Sequence, residues 1–251
     1  MKRIRLIVAY DGTDYNGWQK QDNGITIEGE LNKALTELLG EKIEITGASR
    51  TDAGVHALGN VAVFDTGSKI PPEKIAIALN HYLPEDIRVQ RSEEVALDFH
   101  PRFCDSKKTY EYSILATKIA VPTQMRYSYH VYQPLDLEKM REAAACLRGT
   151  HDFSAFCSAG SQVKSKVRTI EDIAVWEEPL SYGNGGRMIK IRVSGNGFLY
   201  NMVRIIAGTL LEVGMGRRTA GQLEEALASG ERRLAGATAP PQGLMLMEIK
   251  Y

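Results

Sequence analysis

Apolar and polar residues alternate in several short stretches of the chain, and this alternation predicts β-strands. Between them, apolar residues recur every three or four positions, which is the spacing of amphipathic helices. The predicted strands lie at residues 4–10, 43–46, 61–64, 87–95, 107–116, 170–176, 188–193 and 244–249. The predicted helices lie at residues 26–40, 72–79, 136–147, 199–213 and 219–228. Strands and helices are thus interspersed in both halves, which predicts an α+β protein.

Capping signals mark several of the predicted helix ends. Thr26, Asp136 and Thr219 each stand just before a segment of helical spacing, where a side-chain oxygen can accept a backbone N–H. Gly40 follows the first predicted helix, as expected for a residue that ends a helix in the left-handed conformation. Residues 183–186, with the sequence GNGG, predict a hairpin turn between two strands.

Length and composition restrict the class of protein. A chain of 251 residues with 43% hydrophobic and 25% charged residues is typical of a globular protein with one large or two modest domains. Its three cysteines form no C-x-x-C pair, which favours reduced thiols in the cytoplasm over a disulfide framework or a zinc site. The chain has neither a signal-peptide pattern nor an apolar stretch of about eighteen residues, so no membrane association is predicted.

The charge balance of the chain bears on whether it binds nucleic acid. The formal net charge is zero, which argues mildly against a nucleic-acid partner. Any RNA-binding surface must therefore come from local groups of basic residues. Such groups occur at residues 107–108, 164–168 and 217–218. Each alone fits a solvated surface, and together they are candidates for contacts with phosphates.

Residues 50–57, with the sequence RTDAGVHA, form the first candidate site. A carboxylate in a glycine-containing turn between two strands is held by a rigid scaffold and remains open to a ligand. Arg50 lies two residues before Asp52, so in an extended segment both side chains point to the same face. A nearby cation favours the ionised carboxylate that nucleophilic chemistry requires. The reduced pattern also fits a simple turn with an incidental surface ion pair, and the residues alone leave both interpretations open.

An arginine in an apolar segment and a pair of tyrosines on one predicted strand are further candidates for site residues. Arg204 is the only charged residue between Arg192 and Glu212, within an apolar helical segment. A buried, unpaired guanidinium is costly, so Arg204 is predicted to contact a carboxylate or reach a cleft; a structural salt bridge and a solvated helix face are the alternatives. Tyr110 and Tyr112 share one face of a predicted strand, a pattern more often found in sheet cores or surfaces than in catalytic sites.

Six motifs, in a fixed order, carry a resemblance to a known family. They are YDGTDYNGWQ at residues 10–19, SRTDAGVH at 49–56, KTYEY at 108–112, GTHDF at 149–153, NGFLYNMVR at 196–204 and PQGL at 241–244. Together they resemble the motifs of tRNA pseudouridine synthases of the A class, and the similarity covers nearly the full chain. Ser49 stands where the family's loop motif has glycine.

The resemblance implies a fold and an activity. The expected fold has two ferredoxin-like subdomains, residues 1–105 and 106–251, sharing a mixed, mainly antiparallel sheet with helices on one face and a central active-site cleft. The expected reaction is isomerisation of uridine to pseudouridine at tRNA positions 38, 39 and 40 in the anticodon stem-loop, with no cofactor and no metal. The resemblance also implies a cytoplasmic homodimer that recognises tRNA through its shape and phosphates.

The resemblance further implies roles for individual residues. Asp52 is expected to be the nucleophile, attacking C6 of the uracil ring or C1′ of the ribose, and the sequence does not separate these routes. Arg204 is expected to pair with Asp52 and keep it ionised, and Tyr110 to hold the base and to be a candidate for the proton step. Arg50 is expected to contact the RNA, and Leu244 to form an apolar wall. The division of roles between Arg50 and Arg204 stays open.

Two other functions belong to different classes. A nucleoside or glycoside hydrolase would use a second carboxylate near Asp52, whereas the motif supplies cations. A non-catalytic tRNA-binding module or RNA chaperone would keep the basic groups and would need no Asp–Arg pair. A metal site is not predicted, because His56, His100 and His151 do not have the spacing of metal ligands.

Overall fold

The computed structural model describes residues 1–161, 163–181 and 185–251. Its strands are β1 (Lys2–Tyr10), β2 (Thr46–Gly47), β3 (His56–Thr66), β4 (Ile87–Val95), β5 (Lys107–Ala116), β6 (Tyr129–Val131), β7 (Gly149–Asp152), β8 (Val167–Pro179), β9 (Arg187–Gly195) and β10 (Leu244–Lys250). Its α-helices are α1 (Ile27–Leu39), α2 (Pro72–Leu79), α3 (Leu137–Ala145), α4 (Met202–Gly214) and α5 (Ala220–Ser229). The α+β class and the mainly antiparallel strand pairing are therefore confirmed.

The chain divides into two compact units. The first contains Met1–Ser106 together with Leu246–Tyr251, and the second contains Lys107–Met245. Most of β10 therefore belongs to the first unit, although it comes last in the sequence. The predicted subdomain boundary after residue 105 and the predicted central cleft stay predictions.

The first unit contains a sheet with one well-buried face. Its strands are neighbours in the order β4-β1-β3-β10, with β2 beside β3, and β1 runs antiparallel to both β3 and β4. In β1, Ile4, Leu6 and Val8 are fully buried, whereas Arg5 and Ile7 between them are partly exposed. This alternation places one face of the strand in the core, as the sequence pattern predicts. Helix α2 packs against β4, and α1 packs beside α2.

The helix ends largely follow the predicted capping signals. The side-chain oxygens of Thr26, Asp136 and Thr219 accept backbone N–H groups at the start of α1, α3 and α5. Gly40 follows α1 with a φ of 68°, in the left-handed region where glycine is favoured. These local predictions are confirmed because a cap depends on residues three or four positions apart.

The predicted strand at residues 43–46 is wrong over most of its length. Only its last residue enters β2, which pairs with β3. The backbone N–H groups of Ile43 and Ile45 donate instead to side chains of α1, at 3.2 and 2.8 Å. These bonds satisfy the backbone of an extended segment without a neighbouring strand, so a β-like sequence forms no ladder here.

The second unit has its own strand order, β5-β9-β8-β7, with β6 beside β5. The pairs β5–β9, β8–β9 and β7–β8 are antiparallel, and β6 is parallel to β5. Helix α3 packs against β8 and α4, and α4 packs against β5. The predicted hairpin turn falls on residues 183–186, of which 183 and 184 lie outside the described residues. The strands that it would join are antiparallel neighbours.

Two helix bounds in the second unit differ from the prediction. Helix α4 begins at Met202 rather than at residue 199, because Asn201 takes a φ of 60° and so cannot continue a right-handed helix. Helix α3 ends at Ala145 rather than at residue 147. Gly149, with a φ of 112°, begins β7.

Candidate active site

Asp52 lies in the loop that connects β2 to β3 in the first unit, and it is half-buried. Its carbonyl oxygen accepts a hydrogen bond from the backbone N–H of Val55 at 3.1 Å, which closes a four-residue turn. Gly54, the third residue of this turn, has a φ of 76°. Glycine is favoured at that position because other residues strain at positive φ. The glycine of the motif therefore lets the chain turn directly after Asp52.

The N-terminal motif at residues 10–19 packs against the loop that carries Asp52. Trp18 is 1% exposed, and its backbone N–H donates to the carbonyl oxygen of Thr51 at 3.0 Å. A Cβ atom on Gly17 would lie 2.6 Å from that carbonyl oxygen, and one on Gly47 would lie 2.2 Å from the indole nitrogen of Trp18. The glycines are needed because the two segments touch through their backbones and the indole. The motif thus forms a scaffold for the loop.

A buried polar network lies beneath the same loop. The hydroxyl oxygens of Tyr10 and Thr51 are 2.7 Å apart in a hydrogen bond that either group can donate. The side-chain amide of Asn60 donates to Tyr10 at 3.2 Å and to the carbonyl oxygen of Ser49 at 3.0 Å. All four residues are buried. Sequence reasoning missed Tyr10 and Asn60 as site residues, because their contacts join positions about 40 to 50 residues apart.

His56 begins β3 and is 1% exposed. Its Nδ1 accepts a hydrogen bond from the backbone N–H of Gly12 at 3.1 Å and also lies 3.1 Å from a carboxylate oxygen of Asp11. The two contacts favour different protonation states, since Asp11 attracts a charged ring and the Gly12 N–H needs an unprotonated nitrogen. In the hydrogen bond with Gly12, the backbone N–H donates and Nδ1 accepts. The residue therefore ties the N-terminal motif to β3.

Arg50 differs from Asp52 in its environment, because Arg50 is exposed. Two residues of the basic clusters predicted from the sequence are paired with acidic residues. Lys107 forms an ion pair with Glu171 at 2.8 Å, and Arg218 pairs with Glu212. Part of the positive charge in these groups is therefore neutralised within the protein. Lys164 is exposed, as a residue that contacts phosphates would be.

Arg204 is the third residue of α4 in the second unit, and it is half-buried. Its Nε donates to the carbonyl oxygen of Ala239 at 2.8 Å, and its Nη1 donates to the side-chain oxygen of Asn201 at 2.7 Å. The backbone N–H of Ala239 in turn donates to the carbonyl oxygen of Arg204 at 3.1 Å. Two neutral acceptors therefore orient the guanidinium. The predicted pairing with Asp52 stays a prediction.

Tyr110 and Tyr112 in β5 have different environments. Tyr110 is 8% exposed, and its ring meets that of Phe198 edge-on, with 5.2 Å between the centroids. Tyr112 is fully buried and donates its hydroxyl to the carbonyl oxygen of Pro240 at 2.8 Å. Burial raises the pKa of the Tyr112 phenol above its ordinary value, so this group stays protonated. Leu244, the first residue of β10, is buried.

Three further observations concern clusters of metal-ligating side chains, the other two histidines of the sequence analysis and membrane-spanning helices. Its residues include no cluster of three or more His, Cys, Asp or Glu side chains that could hold a metal ion. His100 stacks on Phe103 with 4.1 Å between the ring centroids, and a ring nitrogen of His151 lies 3.0 Å from the carbonyl oxygen of Arg148. No helix in the same described ranges is long and apolar enough to cross a bilayer.

Comparison with known proteins gives full-length matches. A family model described as tRNA pseudouridine synthase matches residues 6–104 and 143–251. A protein from Acetivibrio thermocellus named tRNA pseudouridine synthase A is 46% identical over 251 residues, covering 100% of both chains. A protein of the same name from Halalkalibacterium halodurans is 48% identical over 246 residues, covering 98% of this chain and 91% of the relative. The tRNA pseudouridine synthase A 2 of Clostridium tetani is 49% identical over 252 residues, covering 100% of this chain and 99% of the relative.

Similarity to a solved structure is much weaker. The crystal structure of the archaeal box H/ACA sRNP Nop10-Cbf5 complex aligns with a TM-score of 0.35 and 11% identity, covering 95% of this chain and 58% of that chain. A similarity of this size supports no conclusion about fold or function.

These matches, with the α+β fold, define an RNA-modifying isomerase. The chain belongs to the tRNA pseudouridine synthase family, whose members isomerise uridine to pseudouridine in tRNA. The enzymatic class predicted from the sequence is therefore confirmed. Asp52, Arg204 and Leu244 lie within the residues matched by the family model, and Tyr110 lies between the two matched ranges. The roles of the individual residues stay predictions.

Proposed function

We propose that the chain isomerises uridines at positions 38, 39 and 40 of the tRNA anticodon stem-loop, with Asp52 as the nucleophile. The observation that carries this proposal is the fixed backbone around Asp52. The carbonyl oxygen of Thr51 is held by Trp18, and that of Asp52 is held by Val55. A nucleophile on a preorganised turn can attack without first being ordered, which lowers the barrier to reaction.

The chemistry requires one bond to break and another to form at the same ribose carbon. The C1′–N1 bond breaks, the uracil rotates, and a C1′–C5 bond forms. The proton on C5 leaves and N1 gains a proton, so the product has the same composition as the substrate. Asp52 would attack either C6 of the ring or C1′ of the ribose and be released at the end. A carboxylate with a reference pKa of about 3.9 is ionised at neutral pH, as a nucleophile must be.

The other proposed residues act on the base and on the charge of the nucleophile. Arg204 would stabilise the ionised form of Asp52, since a nearby cation favours a carboxylate. Tyr110 would hold the base and is a candidate for the proton step, although a phenol with a reference pKa of about 10 is a weak base unaided. The buried Leu244 would exclude water, and the exposed Arg50 would contact the RNA backbone.

We also propose that the chain acts as a homodimer in the cytoplasm. A zero net charge provides little long-range attraction for RNA, and a two-fold dimer would extend the basic surface along one tRNA. A dimer in sedimentation, a strong salt dependence of tRNA affinity and poor activity on an isolated anticodon stem-loop are expected. A monomer that modifies the stem-loop as well as whole tRNA would contradict this assembly without affecting the chemistry.

Incubation with unmodified tRNA tests the proposed function. The expected product is pseudouridine at positions 38, 39 and 40, with the mass of the tRNA unchanged. A tRNA with cytidine at all three positions should remain unmodified. Modification of that tRNA would contradict the proposed positions. An abasic product would indicate a hydrolase, and binding without conversion would indicate a tRNA-binding module; either outcome would contradict the isomerase proposal.

A further inference from the structure

Buried hydrogen bonds connect two strands of the first unit to the residue that precedes Asp52. Tyr10 is the last residue of β1 and Asn60 lies within β3, and they are 4% and 0% exposed. Thr51 is 7% exposed, and its hydroxyl oxygen lies 2.7 Å from that of Tyr10. Buried polar groups reduce stability unless they are hydrogen-bonded. Thr51, Tyr10 and Asn60 satisfy one another, and together they form a buried network next to Asp52.

The donors and acceptors of the network hold the loop at two points. The amide nitrogen of Asn60 is a donor only, so the Tyr10 oxygen accepts its hydrogen bond at 3.2 Å. The same nitrogen donates to the carbonyl oxygen of Ser49 at 3.0 Å. Thr51 is thus held through its side chain by Tyr10 and through its carbonyl oxygen by Trp18. The peptide that enters Asp52 therefore has little freedom to rotate.

We propose that Tyr10, Asn60 and Thr51 are positioning residues that set the orientation of the Asp52 carboxylate during isomerisation. This inference rests on the proposed role of Asp52 as the nucleophile. The three residues act on the reaction through Asp52 and do not themselves react. Because a misplacement of about 1 Å can reduce a rate about hundredfold, small rotations of the Thr51–Asp52 peptide should affect turnover more than tRNA binding.

The chain allows the hydroxyl groups to be removed with little change in shape. Tyr10→Phe keeps the aromatic ring, whose centroid lies 5.9 Å from that of Trp18, and removes only the hydroxyl. Thr51→Val is close in volume to threonine and removes the other hydroxyl. Thr51→Ser keeps the hydroxyl and loses a methyl group. The valine and serine variants therefore separate the hydrogen bond from the packing of the side chain.

The kinetics of these variants under tRNA saturation test the proposal. Tyr10→Phe and Thr51→Val should each lower kcat about tenfold to hundredfold, with KM for tRNA changed less than about twofold. Thr51→Ser should recover most of the activity that Thr51→Val loses. The double variant should lose about as much as Tyr10→Phe alone, because Tyr10→Phe already removes the hydrogen bond that Thr51→Val removes.

Ser92→Ala supplies a matched control from the same unit. Ser92 is 3% exposed, donates to the carbonyl oxygen of Pro72 at 2.6 Å and accepts from the N–H of Ala76 at 2.8 Å. Its loss removes buried hydrogen bonds between α2 and β4, away from the Asp52 loop. The melting temperature should fall as it does for Tyr10→Phe, while kcat should stay within about twofold of the original value.

Four outcomes are possible when Asp52→Asn is measured alongside these variants. Low kcat in Tyr10→Phe and Thr51→Val, recovery in Thr51→Ser and normal kcat in Ser92→Ala would support the proposal. It would be overturned if both hydroxyl deletions kept normal kcat while Asp52→Asn was inactive, or if Ser92→Ala lost as much kcat as they do. An active Asp52→Asn would instead overturn the nucleophile assignment on which the proposal rests.

Discussion

The loop around Asp52 in the first unit and two charged residues of the second unit are fixed by different kinds of contact. In the first unit, the loop around Asp52 is held through its backbone, by bonds from Trp18 and Val55 to consecutive carbonyl oxygens. In the second unit, Glu111 and Arg204 are held through their charged groups. Lys190 and Arg192 bind the two carboxylate oxygens of Glu111, and the guanidinium of Arg204 donates to two neutral oxygens.

This difference shows where each residue is sensitive to change. A side chain held through its charged group loses its orientation as soon as that group changes shape. The backbone of the Asp52 loop is held by Trp18 and Val55, so neighbouring residues can be altered while the carboxylate itself remains. Conservative replacements should therefore fail at Arg204, whereas the orientation of Asp52 should respond to changes in the scaffold.

Outside position 52, replacement of Arg204 should have the largest effect. Arg204→Lys should lower kcat about hundredfold, because an ammonium group cannot reproduce the planar arrangement that reaches both Ala239 and Asn201. Arg204→Leu should be worse, with a greater loss in turnover than in stability. Arg233→Lys is the control, since Arg233 is exposed and pairs only with Glu231 among the described contacts. Normal turnover in the Arg204→Lys variant would make Arg204 a structural residue.

Removal of the Tyr110 hydroxyl should have a smaller effect. Tyr110→Phe keeps the edge-on contact with Phe198 and should lower kcat about tenfold, through loss of a hydrogen bond to the base or of the proton step. Tyr132→Phe, at a site that is 67% exposed, should change nothing. Initial rates on unmodified tRNA measure both variants. Equal rates for the Tyr110→Phe variant and the original protein would show that the Tyr110 hydroxyl has no part in the reaction and that the ring contributes only packing.

Glu111→Gln should affect stability rather than catalysis. Burial raises the pKa of the Glu111 carboxyl, but hydrogen bonds from Lys190 and Arg192 outweigh burial and leave the pKa below its ordinary value of 4.5. The charge of Glu111 therefore stabilises the folded protein at pH values above 4.5. This stabilisation is lost as the pH falls through the folded-state pKa of the carboxyl group. The variant should lose about 1–2 kcal/mol at pH 7, because two cations lose their partner.

Denaturant unfolding at two pH values checks this prediction. The free energy of unfolding should differ between the variant and the original protein at pH 7, and the difference should shrink below about pH 4. A difference that grows with acidity would contradict the assigned direction of the pKa shift.

Tyr112→Phe should have the smallest effect. It removes the hydrogen bond to Pro240 in the second unit and should lower the free energy of unfolding by about 1 kcal/mol. Its kcat should stay within about twofold, in contrast to Tyr10→Phe in the first unit. A large loss of turnover would show that the strand carrying Tyr112 also controls the reaction.

Much of the fold could be predicted from local sequence. The strands at 87–95 and 107–116 have the predicted bounds, because alternation within a strand requires no knowledge of its neighbours. The segment at 43–46 was predicted incorrectly because its backbone donors are satisfied by side chains of a preceding helix. Nothing in the local pattern distinguishes such a segment from a paired strand.

The candidate site was predictable only in part. A carboxylate, a cation and a glycine close together in the sequence make Asp52 a candidate, and its expected role comes from the family resemblance. The support from Tyr10 and Asn60 could not be predicted, since a tyrosine at a strand end and an asparagine within a strand have many uses. Their part in the site depends on distances between residues that are remote in the chain.

The release of tritium from uridine labelled at C5 tests the central claim most directly, because the C5 hydrogen leaves only when the new bond forms. Asp52→Asn keeps the size of the side chain and removes its charge, so release should fall by at least about 10³-fold while tRNA binding persists. Asp65→Asn is the control, since Asp65 is a carboxylate of β3 that pairs with Arg3 at 2.7 Å. The account predicts release by the original protein and by Asp65→Asn, and none by Asp52→Asn; release by Asp52→Asn at the original rate would contradict it.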